Sequence, residues 1–109
     1  MIVNVRTQGE FIIISPLEDV TMSNIKQLDN AIAEQIGLGE TRLILDFSLI
    51  RIIDSSGIGI IVKNMQLLRD KNGEIRLAAV SDSIMRIFKM INFHKYFKIT
   101  STLEEALNP

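Results

Sequence analysis

The sequence predicts an α/β fold, a small mixed β-sheet of four to five strands with about four helices packed on it. Three observations carry that expectation. Two short β-branched runs flank a glycine near the start of the chain. The run Leu43-Ile44-Leu45 is apolar without alternation, as in a strand covered on both faces. Elsewhere apolar residues recur at spacings of three and four, the period of a helix with one buried stripe. At 109 residues the chain suits one domain spanning 1–109, large enough for a real core.

In order, Ile2–Arg6 and Phe11–Ser15 read as antiparallel strands, with Gly9 supplying the positive φ of a tight turn. Pro16 cannot donate to a ladder and closes the second strand. A polar connection, Glu18 to Ser23, leads to a helix bearing Ile25, Leu28, Ile32 and Ile36, capped by Thr21 or Ser23 and ended by Gly37 and Gly39. Leu43–Leu45 is the next strand, so strand, helix and strand imply a parallel crossover. After Leu49–Ile53 comes Asp54-Ser55-Ser56-Gly57 and a helix whose stripe is Ile58, Ile61, Val62, Met65 and Leu68. Ser56, Ile60, Lys63 and Leu67 share its opposite side, where two large aliphatics require cover from a second helix or from a partner. Lys71-Asn72-Gly73 turns the chain into a strand, Glu74–Val80, with Ile75, Leu77 and Ala79 on one face. Ser81-Asp82-Ser83 caps a helix carrying Ile84, Ile87, Phe88 and Ile91. Phe93 to Ile99 is an aromatic, basic segment expected as a short edge strand, and Ser101-Thr102-Leu103-Glu104 is a capping box before a last helix ending at Leu107.

The composition narrows the function. There are no cysteines and one histidine, so disulfides and thiolate metal sites are absent, no metal is expected, and a reducing, cytoplasmic setting fits. The N-terminus lacks the layout of a signal peptide, and no apolar run approaches the ~18 residues of a membrane span, so the chain reads as soluble. A net charge of −1 gives no case for nucleic acid. It is unevenly placed: residues 1–59 hold 4 basic and 8 acidic side chains, and residues 60–109 hold 8 and 5.

The turn at Asp54 is the place where strand end, helix start, small residues and hydroxyls converge. Asp and Ser there satisfy the free N–H groups of a helix start, so capping explains them, and an exposed serine at that point is open to modification or binding. Catalysis fits poorly. The Gly-x-Ser-x-Gly elbow is missing, His94 lies far away in sequence, and Gly57-Ile58-Gly59 lacks the Lys-Ser or Lys-Thr that follows a phosphate loop. Asp46 and Asp54 read as a strand-end residue and a cap, in preference to paired acids or magnesium ligands. Gly57 and Gly59 let the first turn of the helix approach either a neighbouring backbone or a partner.

Leu45-Asp46-Phe47 followed by Ile53-Asp54-Ser55-Ser56-Gly57-Ile58-Gly59 resembles the signature of bacterial anti-sigma factor antagonists, members of the STAS domain family. Asn72–Leu77, the Ile84–Phe88 helix and Leu103–Leu107 are similar to that family too, so the resemblance covers nearly the whole chain. It implies a STAS-like domain without enzymatic activity or cofactor, a monomer or weak dimer. Unphosphorylated, such a protein binds an anti-sigma factor that is also a serine kinase and frees a sigma factor. Phosphorylation at Ser55, with Ser56 the second choice, breaks the complex, and a serine phosphatase restores it. ATP belongs to the kinase. The expected partner surface is Asp54, Ser55, Ser56, Gly57, Ile60, Lys63 and Leu67 with Thr21 and Ser23 of the adjoining connection. Two departures stand out: Glu18-Asp19-Val20-Thr21 replaces the family's Gly-x-hydrophobic-Asp, and Asn92 stands where a glycine is usual. The other readings are a STAS module of a stressosome-like scaffold or lipid-transport complex, and, from a different class, a small hydrolase using Ser55.

Overall fold

Gly9 takes φ +60° and turns strand β1 (Val3–Gln8) back onto β2 (Phe11–Pro16) in the computed structural model, which describes residues 2–108. Strands β3 (Arg42–Asp46) and β4 (Glu74–Ala78) complete a four-stranded sheet in the order β1-β2-β3-β4. The β1–β2 pair is antiparallel and the other two are parallel, so the sheet is mixed, as expected. Helices α1 (Ile25–Gly37), α2 (Ser55–Arg69), α3 (Asp82–Met90) and α4 (Leu103–Leu107) follow the anticipated order.

Side-chain alternation divides the core in two. Ile12, Ile14, Leu43, Leu45, Ile75 and Leu77 pack with Leu28 and Ile32 of α1, Ile61 and Leu68 of α2, and Ile84 and Phe88 of α3. Phe11, Ile13, Ile44 and Ala78 face the other way, onto Ala106 with Leu103 and Leu107 of α4. The central strands are thus covered on both faces, which is why Leu43–Leu45 shows no alternation.

On that second face Arg76 is buried and its guanidinium is held from several sides. It donates to Glu74 at 2.7 Å, to the Ala106 carbonyl at 2.8 Å and to the Asn108 carbonyl at 2.5 Å, and lies 4.6 Å from the Phe11 ring centroid. A cation on the last carbonyls of α4 fixes a helix too short to persist alone.

Three local expectations are corrected. Helix α1 is entered through Asn24, not Thr21 or Ser23. The hydroxyls of Thr21 and Ser23 hydrogen-bond each other at 2.8 Å, and Asn24 Oδ1 accepts from the Thr21 N–H. Strand β4 stops at Ala78 because Ala79 has φ +56°, so Ala79 does not continue the face of Ile75 and Leu77. The edge strand expected between Phe93 and Ile99 is instead a 3-10 turn (Phe93–Lys95), entered through Asn92 at φ +62°. Aromatic packing decides this. Phe88, Phe93 and Phe97 stack in series with centroids 5.0 and 4.8 Å apart, and Phe47 meets Phe88 edge-on at 5.7 Å. In a strand, residues four apart stand about 13 Å from one another, whereas one helical turn brings them together. What remains of the strand is a single parallel bridge between Ile99 and Leu77.

Candidate functional site

The Asp54 turn is built from two stretches of chain, 18–24 and 49–57. Val20 and Ile53 form a parallel bridge, with the Val20 N–H donating to Ile52 O at 3.1 Å and the Asp54 N–H to Val20 O at 3.2 Å. Asp19 Oδ1 accepts the N–H groups of Arg51 (2.7 Å) and Ile52 (3.1 Å). Asn24 closes the first stretch on itself, donating to Asp19 O at 2.8 Å and Glu18 at 3.1 Å. The polar residues of 18–24 thus give these backbone groups partners that no regular ladder supplies.

Asp54 joins the halves. Its Oδ1 accepts from the N–H of Ser56 (3.0 Å) and Gly57 (3.2 Å), capping α2, and from the Ser56 hydroxyl at 2.5 Å. Its Oδ2 accepts the Met22 N–H at 2.9 Å. The Ser56 hydroxyl above all, then the backbone donors of Met22, Gly57 and Ser56, hold this carboxyl below its ordinary range, against a partial loss of hydration.

The two serines therefore differ. Ser56 is half-buried with its hydroxyl tied to Asp54. Ser55, at the first helical position, is exposed, and its side chain makes no hydrogen bond among the described residues. Gly57 is buried, and a Cβ on it would lie 2.6 Å from Ile53 Cγ1 and 2.9 Å from Val20 Cγ1. Of the two uses considered for that glycine, close internal packing is the one realised. Around Gly59 there is open space.

The face of α2 bearing Ile60, Lys63 and Leu67 is not an open surface along its length. Helix α1 covers much of it: Lys63 Nζ pairs with Asp29 at 2.7 Å, and the buried Asn64 donates to Asp29 at 3.3 Å and to Ile60 O at 2.9 Å. Ile60 is half-buried and packs on the core, which corrects the reading of it as a surface aliphatic. Leu67 stays 44% exposed. The apolar groups that do stand free beside Ser55 are Met22 (78% exposed) and Ile52 (59%), with Leu49 farther along the same connection. Sequence reasoning missed them. The available signal was Met22 alone among polar neighbours, and a run from Leu49 to Ile53 in which Ile50 and Ile53 turn inward.

Asp46 does not act with Asp54. It is buried at the end of β3, accepting from Ser15 Oγ at 2.9 Å and from the Ser48 N–H at 3.0 Å. His94 is exposed on the 3-10 turn. Among the described residues no three His, Asp or Glu side chains are grouped to hold a metal, and no helix is long and apolar enough to cross a membrane.

Residues 3–106 match the family model described as the STAS domain. A Bordetella bronchiseptica protein, provisionally named anti-sigma factor antagonist BtrV, is 28% identical over 87 residues, covering 80% of this chain and 75% of its own. Among solved structures, a Thermotoga maritima protein with a similar provisional name superposes with a TM-score of 0.91 at 20% identity, covering 96% of this chain and 91% of its own. The Bacillus cell fate determinant SpoIIAA in its phosphorylated form superposes with a TM-score of 0.76 at 22% identity, covering 97% and 96%. At these identities the structural likenesses speak for the fold.

Proposed function

Because the chain belongs to the STAS domain family, we propose that it is an anti-sigma factor antagonist, a protein-binding module switched by phosphorylation of Ser55. In this reading the unphosphorylated form binds an anti-sigma factor with serine kinase activity and so releases a sigma factor in the cytoplasm. The kinase brings the ATP, a serine phosphatase resets the switch, and the module catalyses nothing and needs no cofactor. BtrV, by its name, and SpoIIAA, solved both with and without phosphate, support the class of function.

The observation that carries the reading is the contrast between the serines. Ser55 offers an exposed, unengaged hydroxyl at a helix N-terminus, whereas the Ser56 hydroxyl is bound to the cap. A phosphate on Ser55 adds nearly two negative charges, which the helix start tolerates and which Asp54 beside it opposes. Its effect on folding is therefore small. Its effect on a complex is large, because burying an uncompensated charge against a partner costs several kcal/mol, on the order of 100-fold or more in affinity. The surface that a partner covers is Ser55 with Met22, Ile52 and Leu49, reaching Thr21 and Ser23 on one side and Lys63 and Leu67 on the other.

The test compares Ser55→Ala and Ser55→Asp for binding and phosphorylation with the kinase recovered from the host. The Ala form binds and resists labelling, and the Asp form folds normally and binds poorly. Equal binding by both, or labelling that persists at Ser56 in Ser55→Ala, overturns the assignment. A second reading, a STAS module of another regulatory assembly such as a stressosome-like scaffold or lipid-transport complex, draws its support from Glu18-Asp19-Val20-Thr21. There Asp19 is spent on the backbone of Arg51 and Ile52, and Thr21 stands where the family signature has its acid. Stable co-purification with partners that lack kinase activity favours it.

A further inference from the structure

Helix α2 carries apolar side chains on three sides. Ile61 and Leu68 enter the core, Ile60 lies on the side covered by α1, and Val62 and Met65 are left half-buried on the third. That third side forms one wall of a groove of about 290 Å3, with Gln66 and Arg69. Ile91, Phe93, Tyr96 and Phe97 form the other. We propose that this groove is a second docking site, which takes an acidic segment of a partner protein through one bulky apolar side chain.

The groove is preformed. The stack of Phe47, Phe88, Phe93 and Phe97 pins the 3-10 turn to the core, so the wall needs no ordering when a ligand arrives. Its rim is apolar and free: Tyr96 is 59% exposed, Ile91 41%, and Met90 beside it 82%. A concave apolar slot of this size suits a single anchoring side chain, the usual centre of a protein–protein hot spot.

Charge selects the rest of the ligand. From Ser83 to Leu103 the chain has no acidic residue, yet it carries Arg86, Lys89, Lys95 and Lys98 together with His94. The stretch that builds one wall is therefore strongly basic in a protein whose net charge is −1. Arg69 joins it from α2. Among the described residues none of Arg69, Arg86, Lys89 and Lys95 forms an ion pair, while Arg42, Lys63 and Arg76 all do. Arg69 lines the slot and Lys95 lies in the chain between its lining residues Phe93 and Tyr96; unpaired cations so placed attract an acidic segment, raise its association rate and make binding salt-dependent. A lipid surface would use the same charges but has no side chain to fill the slot.

This site is separate from the Asp54 turn. Met65 and Arg69 lie 10 and 14 residues beyond Ser55 on α2, about 15 and 21 Å along its axis. A ligand here does not cover Ser55, and the proposal stands whether or not Ser55 is phosphorylated.

The experiment pans a random peptide display library against the immobilised full chain at low salt. Recovered peptides should be net acidic with one aromatic or large aliphatic residue. Their affinity should fall about tenfold or more in the double variant Arg69→Glu, Lys95→Glu and in Tyr96→Ser, and weaken with added salt. Ser55→Asp should leave it unchanged. All three substituted side chains are exposed, and a thermal midpoint close to wild type verifies the fold. Failure to recover any peptide, recovery without an acidic bias, or binding indifferent to these variants overturns the proposal. So does capture of phosphatidylglycerol vesicles, lost in the charge-reversed variant, when no peptide is recovered.

Discussion

Replacing Gly57 and Gly59 by alanine, one at a time, should move stability in opposite directions, although the two lie in the same turn and a half of α2. Alanine in a helix is favoured over glycine by up to about 1 kcal/mol. At Gly59 a new methyl meets nothing within 4 Å, so that gain is retained, which for a domain of this size raises the thermal midpoint by about 4 °C. At Gly57 the methyl would sit 2.6 Å from Ile53 Cγ1 and 2.9 Å from Val20 Cγ1, both on buried side chains. Overpacking of this kind costs about 1–3 kcal/mol, so the net change is a loss of about 1 kcal/mol. Val20 and Ile53 are also the residues of the bridge that holds 18–24 against the helix start, so the displacement reaches the Met22 amide and Asp54. Urea titrations followed by far-ultraviolet circular dichroism give both midpoints at unchanged slope. If Gly57→Ala is as stabilising as Gly59→Ala, then Val20 and Ile53 yield at no cost, and close packing is not what the glycine serves.

Three further outcomes are expected. Asp54 is held ionised by donors that exist only in the folded chain, so its stabilising contribution is complete above its unfolded pKa and is lost as pH falls through the depressed folded value; acid titrations of wild type and Asp54→Asn should differ in that window and run parallel above it. Arg76→Lys should cost about 1–3 kcal/mol in urea denaturation, because Lys cannot reach Glu74 and two α4 carbonyls together, and amide exchange in α4 should quicken before that in β4. Ile60→Glu should lower the melting temperature clearly, while Ile52→Glu should leave it near wild type and weaken partner binding, a pair of readings from one thermal scan and one titration.

The element order could be read from the chain because apolar spacing and turn residues agree at nearly every step. Gly9 at φ +60° and Asn92 at φ +62° are left-handed positions that their residue types permit, and Asp54 and Ser81 cap the helices that they precede. The failures have particular causes. Thr21 and Ser23 are good caps by type, but their hydroxyls engage each other in a local turn that leaves Asn24 at the helix start. The aromatic segment after Asn92 has residue types that suit a strand, yet contact among Phe88, Phe93 and Phe97 outweighs that local preference. At the site, the sequence made Asp54, Ser55 and Ser56 conspicuous, but only packing separates the free hydroxyl from the bound one. Ile60 departs from its expected place because whether an aliphatic is exposed depends on where α1 lies, which no local pattern records.

The hydrogen bonds that join the two stretches of the Asp54 turn share one property. Asp19 to Arg51, Asp19 to Ile52 and Met22 to Asp54 each join groups 32 or 33 residues apart. The β2–β3 register spans nearly the same interval, with Ile12 opposite Leu43 and Ile14 opposite Leu45. The turn is thus the continuation of that strand pairing beyond the strand ends, and the loop that must close to make one also makes the other. Nascent helix in α1 or α2 cannot assemble it early, because closing so long a loop is an entropic cost that only the full crossover offsets. During synthesis, the bonds that join its two stretches cannot form until the ribosome has released the chain well past residue 54.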